Sequence, residues 1–162
     1  MSMLAAMTPT VTLRPVVAAD RELLIAVYAS TRAEELAPVP WDDAQKDAFV
    51  RMQFAAQDRY WREQKPGAEF CVVLVAGEPA GRLYLDRLAE EIRIVDVALL
   101  PAWRDRGIGT RLLRGVLQEG RDAGLPVTIH IEQGNRARGL YERLGFRQIG
   151  TAGVYHLMEA RP

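Results

Sequence analysis

An apolar run from Glu91 to Leu100 ends at Pro101, and a glycine-bearing turn then leads into an amphipathic segment. The run is rich in isoleucine and valine, which is typical of a strand. Four apolar residues of the amphipathic segment share one helical face: Leu112, Leu113, Val116 and Leu117. A second apolar strand pattern follows at residues 127–132. Strand, helix and strand in this order predict a right-handed parallel crossover, which requires a sheet covered by helices.

The rest of the chain alternates between patterns typical of strands and of helices. Further strands are predicted at residues 11–14, 69–75, 81–88, 147–150 and 154–159. One helix is predicted to start at Asp20 as its cap, with Leu23, Leu24 and Val27 on its buried face. A second is predicted to start at Asp42 or Asp43, with Phe49, Met52, Gln53 and Ala56 at helical spacing, and to end near Lys65-Pro66-Gly67. A short helix is predicted at about 136–144. This order predicts an α+β fold with a mixed sheet.

Composition narrows the class of protein. A chain of 162 residues with 49% hydrophobic and 26% charged residues suits one globular domain, 1–162, in which residues 1–9 form a loose leader and Met7 is an alternative start. The 21 basic residues balance the 21 acidic ones, which argues against nucleic acid or a membrane as partner. The single cysteine, Cys71, is predicted to be a small buried hydrophobe, and a cytoplasmic location is expected.

The turn between strand and helix carries the chemistry. It contains Arg104, Asp105, Arg106, Gly107 and Gly109. Glycines let a backbone come close to a ligand, and the amides that open a helix attract anions, so the turn suits a phosphate. The alternative is a tight turn flanked by solvated arginines. The spacing fits neither a P-loop nor a dinucleotide-binding fingerprint.

Two motifs in this half of the chain resemble those of one family. The pattern Arg104-x-x-Gly107-x-Gly109 is similar to the pyrophosphate loop of the GNAT superfamily of N-acetyltransferases. The segment from Asn135 to Phe146, with its Leu140-Tyr141 pair, is similar to a second motif of that family. The resemblance extends over about residues 92–146. It implies a GNAT-like, mostly antiparallel sheet of six to seven strands flanked by about four helices.

The resemblance also implies a co-substrate, acetyl-CoA, and no metal. The pyrophosphate would be bound by Arg104 and by the amides of Arg106, Gly107, Ile108, Gly109 and Thr110. The pantetheine arm would pair with the backbone of Val97, Ala98 and Leu99, and Asn135 would contact the arm. Two departures stand out: Asp105 places a carboxylate in the loop, and Asn135 is two residues before Ala137, where the family more usually has three.

Tyr141 is the residue that the resemblance assigns to protonating the departing thiolate. A tyrosine with a pKa of about 10 is a workable acid for a thiol with a pKa of about 8.5, and more so if its own pKa is lowered. The alternative is that Tyr141 is a packing aromatic beside Leu144.

A base must remove a proton from the amine, and three residues are candidates. Asp96 lies within an apolar strand, where partial burial would raise its pKa, or it is a salt-bridged structural residue. His130 alternates out of an apolar strand face and has a suitable ordinary pKa, or it is a cross-strand surface residue. Glu132 shares the face of His130. Chains of water molecules are a further possibility.

The acceptor site is expected at residues 37–43, including Trp41, and at Tyr84. Trp41 would face a cation or anchor the loop. The predicted activity is acetyl transfer to a primary amine of a small molecule or peptide, and a homodimer is compatible with it. Two alternatives stay open: an acyl-CoA-binding regulatory module without turnover, and a non-enzymatic interaction domain.

Overall fold

A computed structural model of the chain describes residues 8–162. Most of the predicted leader, and the choice between Met1 and Met7, therefore lie outside the described residues. The strands are β1 (Val11–Pro15), β2 (Glu69–Val75), β3 (Glu78–Arg87), β4 (Ile92–Leu99), β5 (Val127–Glu132), β6 (Arg147–Ala152) and β7 (Tyr155–Ala160). The helices are α1 (Arg21–Leu36), α2 (Asp43–Gln64), α3 (Ile108–Ala123) and α4 (Arg138–Arg143).

These strands form one seven-stranded sheet in the order β1-β2-β3-β4-β5-β7-β6. All neighbours are antiparallel except β4 and β5, which are parallel and are connected through α3. The predicted α+β class, the mostly antiparallel sheet and the parallel pair are therefore confirmed. Within the described residues, no helix has the length and apolar character that crossing a membrane requires.

Helix α3 covers one face of the sheet with the side chains that the sequence pattern predicted. Its buried stripe packs against β3, β4 and β5 in one apolar cluster, which Tyr141 and Phe146 extend. Gly120 allows this close packing, because a Cβ there would lie 2.8 Å from the Leu125 carbonyl oxygen. Helices α1 and α2 form a second, smaller cluster centred on Tyr28 and Phe54.

The predicted cap of α1 needs correction, whereas the predicted start of α2 is confirmed. Asp20 does not cap α1 with its side chain; its carboxylate accepts from the Val17 amide and binds Arg14 through two hydrogen bonds of 2.8 Å. That ion pair holds the pKa of Asp20 at about 2, because Arg14 favours the charged carboxylate. Asp42, by contrast, caps α2 and forms a reciprocal contact with Gln45, so of the two predicted caps, Asp42 and Asp43, the first is the correct one.

The buried face of α2 was predicted in the wrong phase. Val50 and Phe54 are its buried residues, whereas Met52 is 61% exposed and Ala56 is exposed. The stripe is set by Phe54, whose ring packs against Tyr28 of α1. The other boundaries differ by a few residues: β3 starts at Glu78 rather than Gly81, and α4 is shorter than predicted.

Candidate functional site

Strands β4 and β5 pair over only three residues and then separate. The parallel register joins Ile92, Arg93 and Ile94 to Val127, Thr128 and Ile129. Beyond Ile94 the two strands have no register partners on each other, although both continue. The edge of β4 that faces β5 therefore has backbone groups available for another extended molecule.

A bulge lies where the strands separate. Tyr84 of β3 is opposite Asp96, but the next residue, Leu85, is opposite Ile94, so Val95 is the extra residue. A bulge bends its strand and redirects the side chains beside it. In β4 the bend occurs immediately before Asp96, Val97 and Ala98.

A cavity of about 670 Å³ opens at this point, which is a usual size for a small-molecule site. Its walls are β4 and β5 on one side and the facing parts of α1 and α2 on the other. The lining includes residues predicted for two different roles: Asp96, His130 and Glu132 as bases, and Val97, Ala98 and Asn135 as contacts to the cofactor arm. The fold thus brings the predicted bases and part of the predicted cofactor site together.

The glycine turn leads directly into α3. Gly107 is the helix N-cap with φ 78°, a conformation that glycine adopts without strain. In the described structure, the backbone amides of residues 105–110 donate no intramolecular hydrogen bond, and the first helical bond in this turn comes from Arg111 to the Gly107 carbonyl oxygen. These amides, together with the partial positive charge at the start of the helix, form a suitable cradle for an anion.

The charged residues of the turn differ in what they contact. Arg104 donates from Nε to the Leu99 carbonyl oxygen at 3.0 Å and from Nη2 to Ser30 at 3.0 Å. It therefore ties the turn to the end of β4 and to α1, and it occupies one predicted pantetheine acceptor. The guanidinium of Arg106 lies over the Trp103 ring at 5.1 Å. Asp105 is exposed and has φ 60°.

Tyr141 is buried, with 5% of its surface exposed, and its ring packs edge-on against Phe146 at 5.5 Å. Burial raises its pKa to about 12, and the negative charge of Asp96 adds to the rise. The lowered pKa that would favour full proton transfer is therefore not found. The hydroxyl keeps its proton over the whole physiological pH range and is a hydrogen-bond donor.

Asp96 is bound to a buried arginine. Arg82 donates from Nε to the Asp96 carboxylate at 2.6 Å, and its side chain is 3% exposed. The same guanidinium lies over the rings of Trp61 and Tyr84 and contacts Gln57. A carboxylate that neutralises a buried cation is a poor proton acceptor, because protonation would leave that cation uncompensated.

His130 is held by Arg93, which donates from Nη1 to Nδ1 of the imidazole at 3.1 Å. The same arginine also binds Thr128 and Glu91, so its position is fixed from three sides. An arginine is always a donor, and Nδ1 is therefore the acceptor nitrogen while Nε2 carries the proton. Burial, then Arg93 and then Lys65 lower the pKa of His130.

Glu132 lies two residues further along β5 and also lines the cavity. It forms no ion pair with any residue between 8 and 162. Asn135 uses its side-chain oxygen to accept from the Ala137 amide at 2.7 Å, in the turn that precedes α4. Its amide nitrogen is thus the part of the side chain left to meet a ligand.

The predicted acceptor residues do not line the cavity. Trp41 packs against Phe49 at 5.3 Å, and Tyr84 is fully buried between Trp61 and Phe70. The aromatic lining comes instead from Tyr28, Tyr60, Trp61 and Tyr155, and its charged lining includes Lys65. Tyr28 lies on α1 and Trp61 on α2. Their positions on the inner faces of these helices were the sequence signal that could have identified them as lining residues.

Other proteins share this fold. The PaiA N-acetyltransferase from Thermoplasma acidophilum, solved in complex with coenzyme A, superposes with a TM-score of 0.70 at 18% identity over 94% of this chain and 99% of that one. The ribosomal-protein-S18-alanine N-acetyltransferase from Escherichia coli superposes with a TM-score of 0.60 at 19% identity, with 94% of each chain covered. The architecture is therefore that of the N-acetyltransferases.

Residues 31–146 match the acetyltransferase (GNAT) family, and the chain belongs to it. A curated relative, mycothiol acetyltransferase from Nocardiopsis dassonvillei, is 36% identical over 84 residues. That alignment covers 51% of this chain and 22% of the relative, so the chain matches about a fifth of the relative's length.

Proposed function

We propose that the protein is an N-acetyltransferase that moves the acetyl group of acetyl-CoA to a primary amine by direct attack on the thioester. The observation that carries this proposal is the separation of β4 from β5 beyond Ile94, above the cavity. The edge of β4 can pair with an extended cofactor arm, and the cavity can hold the acceptor amine. Membership of the family and the coenzyme A complex of the Thermoplasma relative support it.

The pyrophosphate of acetyl-CoA is bound by the amides of Arg106 to Thr110 at the start of α3. Their geometry supports this role, since no described residue accepts from them. Arg106 supplies charge from the exposed side of the turn. Arg104 acts mainly by holding the turn against Leu99, because its donors are already engaged there and at Ser30. The pantetheine arm pairs with Val97 and Ala98, with the Asn135 amide beside it.

In the reaction, the lone pair of the neutral amine attacks the thioester carbonyl carbon. The carbon–sulfur bond breaks, coenzyme A leaves as a thiolate, and the amine nitrogen loses a proton. Tyr141 donates a hydrogen bond to the departing sulfur. Its high pKa makes complete transfer of the proton to the sulfur unfavourable, so its contribution is stabilisation of the developing negative charge.

We assign the base role to Glu132, acting on the amine directly or through one water molecule. Asp96 neutralises Arg82, and the lone pair of His130 that would take a proton is already used by Arg93. Glu132 faces the same cavity without an ion-pair partner among the described residues. It is therefore the candidate whose protonation costs no existing contact.

The test is a thiol-release assay with acetyl-CoA and a panel of primary amines, followed by mass spectrometry of the acceptors. Acetylated product with one coenzyme A released per transfer is the expected result. Coenzyme A binding, measured by calorimetry, without transfer to any amine would instead favour the regulatory alternative. A protein that bound neither acetyl-CoA nor coenzyme A at millimolar concentration would contradict both.

A further inference from the structure

The cavity walls contain several charged residues, and most of them are already neutralised. Arg32 pairs with Glu35 at 3.0 Å, Arg82 with Asp96 at 2.6 Å, and Arg93 with Glu91 at 3.2 Å. Such pairs offer an incoming ligand little net charge. The specificity of the cavity therefore depends on the lining residues that have no ion-pair partner among the described residues.

Within residues 8–162, two residues that line the cavity have charges without an ion-pair partner. Lys65, at the end of α2, is half-buried and forms no ion pair with any residue that the structure describes. Glu132, on β5, is exposed, carries the opposite charge and likewise forms no ion pair within residues 8–162. A cavity with one available cation and one available anion suits a ligand that carries both charges.

His130 adds a neutral donor on the side of Lys65. Because Arg93 donates to Nδ1, the ring keeps its proton on Nε2, at the far edge of the imidazole. Lys65 is close enough for its charge to lower the pKa of this histidine, after the larger effects of burial and of Arg93. Both residues line the same cavity, and an ammonium and an imidazole N–H there form two donors for a carboxylate.

From this arrangement we infer that the acceptor is a primary amine that also carries a carboxylate, the chemistry of an amino acid, with its carboxylate bound by Lys65 and His130 Nε2 and its amine near Glu132. The inference rests on the proposed function and specifies its substrate class. A polyamine would fit less well, since it would meet the positive charge of Lys65 and find a single available carboxylate.

The test compares L-amino acids with their own amides as acceptors. The two series have the same side chains, but the amides lack the carboxylate, and their more acidic ammonium groups make them the more reactive amines. The acids are nevertheless expected to have at least a tenfold higher kcat/KM, because a charge-assisted contact is lost with the amides. Equal or better rates for the amides would overturn the inference.

The matched variants are Lys65→Gln and Lys46→Gln, since these are the two lysines of the chain. Lys46 does not line the cavity. Lys65→Gln should raise the KM for the acids about tenfold or more and leave the amides unchanged, whereas Lys46→Gln should change neither. A Lys65→Gln variant that slowed both series equally would contradict the inference.

Calorimetry with L-amino acids in the presence of coenzyme A separates this inference from the proposed function. Binding that Lys65→Gln weakens, without any acetyl transfer, would support the carboxylate site and contradict the acetyltransferase activity. Transfer to polyamines or peptide amines, with no preference for a carboxylate, would support the activity and overturn the carboxylate site.

Discussion

Arg82 and Asp96 form an ion pair across β3 and β4, with Nε and the carboxylate oxygen 2.6 Å apart. The arginine side chain is 3% exposed and the aspartate side chain 29% exposed, so the pair lies at the floor of the cavity with its cation inward. The geometry makes Asp96 a structural counter-ion rather than a proton acceptor.

Asp96→Ala is therefore expected to lower the free energy of unfolding by about 3 kcal/mol, since it leaves the buried Arg82 cation without its partner. Urea denaturation measures this change. The double variant Arg82→Met, Asp96→Leu should recover much of the loss, because an apolar pair carries no desolvation cost. An Asp96→Asn variant with full stability and a hundredfold lower kcat would show instead that Asp96 acts in the chemistry.

Gly109→Ala should weaken coenzyme A binding about tenfold or more while the fold is retained. In the folded chain a Cβ at this position would lie 3.9 Å from Leu99 Cδ1, which is an ordinary contact, so a loss must come from crowding the ligand. Calorimetric titration with coenzyme A checks the affinity, and thermal melting checks the fold.

The control for that change is Gly115→Ala on the same helix, where a Cβ would meet nothing within 4 Å. It should leave coenzyme A binding unchanged and stabilise the protein by up to about 1 kcal/mol, since alanine is the better helix former. If Gly109→Ala bound coenzyme A as tightly as this control, the pyrophosphate would not lie against the turn.

Tyr141→Phe should lower kcat by about 10- to 100-fold, the value of one hydrogen bond to a charged group, and leave the KM for acetyl-CoA nearly unchanged. The substitution keeps the ring that packs against Phe146, so stability should change little. Steady-state kinetics with saturating amine separates the two parameters. A variant with normal kcat would mean that Tyr141 is a packing residue alone.

Glu132→Gln should lower kcat by about 10²- to 10⁴-fold, as expected for the loss of a general base. The side chain is exposed, and stability should not change. Glu132→Asp should recover part of the rate, because it restores a carboxylate at a shorter reach. If Gln at this position supported the normal rate at pH 7, the base would be another group or water.

His130→Gln tests the alternative base through the pH dependence of kcat/KM. The folded-state pKa of His130 is lowered, so the ring is neutral at pH 7 and gains a proton only below its ordinary value of 6.5. With Nδ1 held by Arg93, the glutamine variant should keep kcat within about tenfold and keep the acidic limb of the profile. Disappearance of that limb, with a large loss of kcat, would assign the base role to His130.

The predictable parts of this protein were those that depend on neighbours in the sequence. The apolar stripe of α3 follows from the spacing of Leu112 to Leu117, and the start of α2 follows from the capping aspartates at 42 and 43. The buried face of α2 was predicted wrongly because apolar residues occur on more than one side of that helix. Phe54 is buried rather than Met52 because α1 presents Tyr28 to it.

The strand–turn–helix unit, the glycine turn and the family could be predicted from the amino-acid order, since each depends on residues that are close along the chain. The chemical roles open to Asp96, His130 and Glu132 became clear from the three-dimensional arrangement of the chain. Asp96 is bound by Arg82 of β3, and His130 is bound by Arg93 of β4. Glu132 has no ion-pair partner among the described residues. The proton affinity of a side chain depends on the charges and donors around it, and the fold brings those together from distant parts of the chain.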